Sequence, residues 1–459
     1  MTPFRSHVAR TALIVAAAGL VAPAAAFSPA AAAAPSAAAA PSAAAPTLAF
    51  DCLHPPATCY APGQFRVAYG VEPLLEHGID GRGETVVVPE LATPRRQGTD
   101  IRTDLAGLDS TFGLPAARIS VDNSIAHASS PWTAEGEEVE DTEIVHAIAP
   151  AAAIRVILFN GSAVASPAGF TAAITTFLRL GITQGSAGQG TVLSKGTVLS
   201  NGTVLSISAS LGEHYFTTAE ISSINGALQA DAAHHVTVVA SSGDYGAVSD
   251  LNLGQTTPVK EVSLPASDPL VLAVGGTSLT ANRVSGAYRG EKAWNTLPAE
   301  PGGHSSASAG GFSHVFARPS YQNGVPGSGT TRGVPDVAGD AAFNTGMALY
   351  ISGPGGGVLG GATGTSAAAP LWAALVALAD QFAGRPLGFV NPAIYHIARG
   401  PAYRAAFHDV TTGNNTFKLK KPATTVAGYQ AAPGWDPVTG WGSPDAQVLV
   451  PLLALYASR

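Results

Sequence analysis

Short apolar runs rich in β-branched residues alternate with longer stretches of helical pattern through most of this chain. Glu84–Glu90, Ile154–Asn160, Val204–Ser208, Val236–Ser241 and Pro269–Gly276 read as strands. They are continuously apolar rather than alternating, as expected of strands covered on both faces. Thr133–Ala149, Ser166–Leu180 and Thr217–His235 read as helices, and an apolar helix is expected over Ser366–Phe382. Ser166-Pro167 supplies a cap followed by proline at the first helical position, where a missing N–H does no harm. This alternation predicts an α/β fold, a doubly wound and mostly parallel sheet with flanking helices. Such sheets carry their sites at the C-terminal ends of the strands.

Two local patterns add detail. The run GTVLS occurs three times, beginning at Gly190, Gly196 and Gly202. Only the last copy leads into the next element, so it is expected to supply the strand while the others form a surface loop. Gly353-Pro354-Gly355-Gly356-Gly357 separates Met347–Ser352 from the following segment and predicts a hairpin.

The N-terminal stretch does not read as part of this fold. A basic segment to Arg10, an apolar run Thr11–Val21 and small residues at Pro23–Ala26 have the order of a secretory signal peptide. The apolar run is too short to span a bilayer, so residues 1–26 are expected to be removed, leaving no membrane anchor. Residues 27–48 are an Ala/Pro/Ser-rich linker, and 49–459 form one domain without an internal linker. The chain is thus expected to be extracellular. Cys52 and Cys59, close together in an exported chain, suit a short-loop disulfide. The run between them lacks the ligand count of a zinc site.

Charge narrows the partners. Lys plus Arg number 24 against 31 Asp plus Glu, for a net charge of -7. No basic run appears, which argues against nucleic acid. Charged residues make up only 12% of the chain, so little of its stability depends on ion pairs. That is compatible with work in acid.

The strongest chemical signal is Gly364-Thr365-Ser366-Ala367-Ala368-Ala369-Pro370, where a serine follows a glycine turn and opens an apolar helix. Its N–H and the helix N-terminus would favour an oxyanion. The plain alternative is an N-cap serine. A nucleophilic serine needs a base. None of the 12 histidines has a suitable setting: His77 lies in a turn before the first strand and His234-His235 end a helix. The acidic alternative is richer, because Glu135, Glu137, Glu138, Glu140, Asp141 and Glu143 crowd one segment. On a helix Glu137 and Asp141 share a face, so one would hold its proton more tightly. The plain alternative is a solvated acidic helix face. Asp244 follows the strand VTVVAS, on the active side of such a sheet, or is merely a turn aspartate.

Taken together, these motifs resemble the sedolisin family, the serine-carboxyl peptidases of subtilisin-like fold, over nearly all of 58–459. GEEVEDTEIVHAIAP resembles the family's Glu-x-x-x-Asp helix, VVASSGDYG its oxyanion-aspartate segment and GATGTSAAAPLWAAL its nucleophile segment. The resemblance implies Ser366 as nucleophile, Glu137 as general base, Asp141 orienting it and a protonated Asp244 at the oxyanion. It also implies one structural Ca²⁺, held by Asp409 and the Val410 carbonyl with Asp436 and the carbonyls of Ala432 and Gly434. Ala432 stands where glycine is usual, so a strained turn is expected there. The family normally carries a long prodomain, whereas Tyr60-Ala61-Pro62 already resembles the start of the mature enzyme. The expected activity is endopeptidase cleavage of peptides or proteins by a monomer. The alternatives are a tripeptidyl peptidase, a subtilisin-type enzyme with an unrecognised histidine, or an inactive binding protein. An α/β-hydrolase lacks support, since no G-x-S-x-G surrounds Ser366.

Overall fold

The apolar runs become the strands of one central sheet in the computed structural model. The structure describes residues 48–53, 59–92, 100–127, 136–185, 202–248, 259–297, 305–327, 329–353, 356–419 and 424–457. The expected signal peptide, most of the linker and the first two GTVLS copies lie outside these residues. The strands are β1 (Thr85–Ala92), β2 (Arg118–Asp122), β3 (Ala153–Asn160), β4 (Thr203–Ile207), β5 (Thr237–Ser241), β6 (Leu272–Ala281), β7 (Tyr288–Ala293) and β8 (Val337–Asp340). Their order is β7-β6-β5-β4-β1-β3-β2, with β8 also paired to β6. Every pairing is parallel except β6–β7. The third GTVLS copy does supply β4, with Thr203 opposite Thr85.

The main helices are α1 (Ile101–Phe112), α2 (Gly136–Ile148), α3 (Pro167–Gly185), α4 (Thr218–Ala233) and α5 (Thr365–Ala383). Successive strand residues point to opposite faces, and the two faces have separate cores. Val86, Val88, Val156 and Leu158 pack with Val145 of α2 and Leu371 and Leu375 of α5. Val87, Ile157, Leu205 and Ile207 pack with Phe170 and Phe177 of α3 and Leu228 of α4. Continuous apolar character in the strands therefore reflects cover on both sides. α5 is long and apolar enough to cross a membrane by composition, but 78% of it is buried, as in a core helix.

Local signals shape the helix starts. Ser166 Oγ accepts the Gly169 N–H at 3.1 Å. Thr217 forms a capping box with Glu220. The glycine-rich turn joins Ala348–Ile351 to Gly357–Gly361 as an antiparallel hairpin, and Leu48–Asp51 adds a parallel strand beside it. Cys52 and Cys59 are disulfide-bonded.

The sheet starts in its middle. From β1 the chain builds β2 and β3 on one side, then β4, β5 and β6 on the other. The crevice of a doubly wound sheet opens at such a switch, beyond the C-terminal strand ends. Glu90 on β1, Ser208 after β4 and Asp244 after β5 all lie at that edge.

Candidate active site

α2 carries its acids inward. Glu138, Glu140, Asp141 and Glu143 are all buried, so the helix is not a solvated acidic face. Glu137 alone among them keeps an exposed surface, where it opens on the cleft at the sheet edge. α5 packs against α2 and begins at the same edge, which places half-buried Ser366 opposite Glu137. Both side chains line the same cleft, and the Ser366 hydroxyl favours the ionised form of the Glu137 carboxyl.

Several forces act on Glu137. Desolvation is the largest, the Ser366 hydroxyl opposes it, and repulsion from Asp244 adds to it. The result is a pKa pushed up to about 7. The residue is exposed at its edge, yet its carboxyl environment is crowded enough for desolvation to dominate.

Asp141 is fully buried, and the Ser208 hydroxyl meets its two carboxylate oxygens at 2.9 Å each. Desolvation, then repulsion from Glu137, holds its pKa well above the aspartate range, with hydrogen bonds from Ser208 and Glu90 pulling the other way. The charge of Glu137 thus acts on Asp141, which the Ser208 hydroxyl holds in place. Glu90 is itself pushed well up by burial and by the neighbouring acids, Asp141 first.

Asp244 faces the nucleophile turn. Its Oδ1 accepts from the Thr365 N–H at 2.8 Å and the Thr365 hydroxyl at 2.9 Å. With Oδ1 taken by two donors, a proton belongs on Oδ2. Burial raises the Asp244 pKa, with the Thr365 bonds opposing it. Gly364 has φ +84°, and a Cβ there would sit 2.8 Å from Asp244 Oδ2. Only glycine suits both constraints.

The cleft has a volume of about 610 Å³ and two unlike walls. Glu137, Glu138, Thr365 and Ser366 form the polar wall from α2 and α5. Phe159, Phe170, Ile174, Phe177 and Leu211 form an apolar wall from the other face of the sheet. Among the described residues no histidine lines it. His77 instead meets the Pro73 carbonyl at 2.7 Å. Of the four residues singled out from the sequence, Glu137, Asp244 and Ser366 line the cleft, and Asp141 lies buried one turn along α2 from Glu137. Ser208, Glu90 and Glu140 were not assigned roles, although the acidic end of the first strand was visible.

The residues expected to hold a cation also cluster. Asp409 accepts the Gly434 N–H at 3.1 and 3.2 Å. Asp436 accepts from Ala432 at 3.1 Å, Val438 at 2.8 Å and Thr439 at 2.9 Å. The Thr439 hydroxyl lies 3.5 Å from the Val410 carbonyl. Despite these bonds, burial pushes Asp436 up to about 6. Two carboxylates on neighbouring loops with the Val410 carbonyl are hard oxygen donors of the kind that suits Ca²⁺, while Ala432 and Gly434 present their N–H groups to the carboxylates. Among the described residues no set of three or more acids, histidines or cysteines forms a metal group, so carbonyls would have to complete this one. Ala432 is not among the residues with positive φ, so the expected left-handed strain is absent.

A serine at a helix N-terminus facing a carboxyl across a cleft, at the C-terminal edge of a mostly parallel sheet, is an arrangement suited to a nucleophile with an acid as its base. The Subtilase family matches residues 156–391. Kumamolisin of Bacillus sp. (strain MN-32) is 35% identical, over 88% of this chain and 65% of its own length. Tripeptidyl-peptidase SED1 of Arthroderma otae is 35% identical, over 46% of this chain and 34% of its own. The structure of Pseudomonas sedolisin, a serine-carboxyl proteinase complexed with pseudo-iodotyrostatin, superposes with a TM-score of 0.67 and 26% identity. That match covers 86% of this chain and 98% of sedolisin. The chain belongs to the subtilase family, and kumamolisin and sedolisin identify its likeness as one to the sedolisin group. The chain spans less than two thirds of the length of the two curated relatives.

Proposed function

We propose that this chain is a secreted endopeptidase that cleaves peptide bonds in acid through an acyl-enzyme on Ser366. The observation that carries this reading is that Ser366, Glu137 and Asp244 line one cleft, with Asp244 bound to the turn that presents Ser366. Ser366 Oγ attacks the peptide carbonyl carbon as its proton passes to Glu137. The carbonyl oxygen becomes an oxyanion, which accepts hydrogen bonds from Asp244 Oδ2–H and the Ser366 N–H. Collapse breaks the C–N bond, and Glu137 returns the proton to the leaving amine. Water then repeats the sequence and frees the acid product. Glu137 must be ionised and Asp244 protonated, so activity requires a partly ionised set of carboxyls. Such a set titrates jointly. The signal-like N-terminus supports export, and the apolar cleft wall supports peptides with apolar side chains near the cleaved bond.

The deciding experiment is a peptide-library digest by wild type and Ser366→Ala from pH 3 to pH 8. The expected result is a bell on the acid side of neutrality, lost in the variant. A rate climbing steadily to pH 8 overturns the carboxyl mechanism. The fragments also separate internal cleavage from release of tripeptides.

The Asp409–Asp436 cluster is proposed as a structural Ca²⁺ site. It lies on loops away from the cleft-lining residues, and a bound ion would stabilise the fold by linkage. Chelation should lower Tm, and Asp409→Ala should lower it similarly and make it insensitive to added Ca²⁺. An unchanged Tm after verified metal removal rejects the site.

A further inference from the structure

Glu140 is a buried acid that the mechanism above leaves unused, yet it touches the nucleophile's own turn. It sits on α2 between Glu137 and Asp141 and is buried to 6% exposure. Its Oε2 accepts the Thr363 N–H at 2.9 Å. Thr363 leads directly into Gly364, Thr365 and Ser366. The other anchors of this turn run elsewhere. The Gly364 N–H donates to the Ala341 carbonyl at 2.8 Å, the Thr363 hydroxyl donates to the same carbonyl at 3.1 Å, and Thr365 is bound to Asp244. The Glu140 bond instead joins the turn to the helix that carries the base. It does so without taking part in proton transfer.

The choice of residue is informative. An apolar side chain here would avoid the cost of burying a carboxyl but would leave the Thr363 N–H without this acceptor. Glu140 Oε1 is buried and has no hydrogen-bond partner among the described residues, so the side chain is held for what Oε2 does. Burial, and repulsion from Glu137, push its pKa well up; the Thr363 N–H opposes this, and Asp141 and Asp244 add to it. A neutral carboxyl therefore sits beside Glu137 without competing for charge, and its carbonyl oxygen remains an acceptor.

We propose that Glu140 is a positioning residue that sets the Glu137–Ser366 separation by clamping Thr363 of the nucleophile turn to α2. This rests on the reading of Ser366 as nucleophile and Glu137 as base. The clamp acts on the chemical step, because displacement of reacting groups by about 1 Å can cost roughly a hundredfold in rate.

The test uses steady-state kinetics of the full chain on a cleaved peptide at its acid optimum, with Tm recorded for each variant. Glu140→Met keeps the volume and removes the acceptor. It should lose about tenfold to a hundredfold in kcat with KM within about threefold. Glu140→Gln keeps an acceptor oxygen for Thr363 and should recover kcat to within about threefold of wild type. The role is overturned if folded Glu140→Met keeps wild-type kcat, or if only its KM changes. Should Glu140→Met show no melting transition, Glu140→Gln decides alone: kcat below about a tenth of wild type rejects the clamp. A wild-type chain that cleaves no peptide is a separate result. It removes the underlying reading of the site, and this role with it, before any Glu140 variant is needed.

Discussion

Burial and hydrogen bonding pull Glu137 in opposite directions, and the balance decides its chemistry. Desolvation favours the neutral acid, while the Ser366 hydroxyl favours the carboxylate. Raised to about 7, this carboxyl is a stronger base than an ordinary glutamate but is protonated over most of the acid range. Turnover in acid therefore belongs to the fraction of molecules in which Glu137 is the ionised member of the coupled set. Asp244 then matters to Glu137 by charge, as Glu137 does to Asp141. Each ionisation nearby makes the next one harder, so the set can lose one proton far more readily than two. Glu137→Gln keeps the shape but cannot take the serine proton. It should lower kcat by roughly a thousandfold or more with Tm little changed. Retention of more than about a tenth of wild-type kcat would show that another group is the base.

The start of α5 is where an element makes the site. Its N-cap is Gly364, at φ +84°, and no side chain caps it. The sharp turn lifts Ser366 into the cleft and lets Asp244 approach the backbone closely. Gly364→Ala would force an L-residue into a disfavoured conformation, costing about 1–3 kcal/mol, and would press its Cβ toward Asp244. The expected outcome is a kcat loss greater than that explained by the fall in Tm, with a changed alkaline limb as Asp244 moves. An unaltered pH profile would argue that Asp244 does not depend on this turn. α2 shows the same coupling in reverse. Its inward acids are tolerated because hydrogen-bond donors from other elements meet them: Ser208 for Asp141, Thr363 for Glu140 and the Tyr350 N–H for Glu143 at 2.7 Å.

Across the molecule, buried carboxyls far outnumber nearby basic groups. Glu90, Glu140, Asp141, Glu143 and Asp380 are all pushed well above their usual range, chiefly by burial. Asp231 and Asp340 are pushed to about 8. For each, the folded pKa lies above the unfolded one, so the folded state binds more protons. The resulting stability is fully present below the unfolded pKa, near 4, and is lost as pH rises through the folded values. Asp122 runs the other way, down to about 2 through its hydrogen bonds to Ser124 and Arg155, but it is solvent-screened and counts for little. The whole chain should therefore melt higher at pH 4 than at pH 8. The check is calorimetry on Ser366→Ala, where self-digestion cannot intervene. A Tm that is equal or higher at pH 8 would mean that these carboxyls find partners or water on ionisation.

The main strands, the helix starts at Ser166 and Thr217, the hairpin and the register of the GTVLS repeats were legible because each depends on residues close in sequence. Ser366, Glu137, Asp141 and Asp244 were legible for the same reason: each sits in a short run whose turn or helix spacing is itself a signal. The exposed edge strand β2 and the antiparallel β7 were not read, since edge strands lack the continuous apolar pattern that double burial imposes. Ser208 on Asp141 and Glu140 on Thr363 join positions 67 and 223 residues apart. Nothing in the local pattern at either end marks such a pair, because the bond exists only once the sheet brings β4 and α5 up against α2. The sequence by itself determined which groups could carry the chemistry. Tertiary structure alone decided their protonation, because the pKa of a carboxyl depends on what surrounds it after the chain has packed.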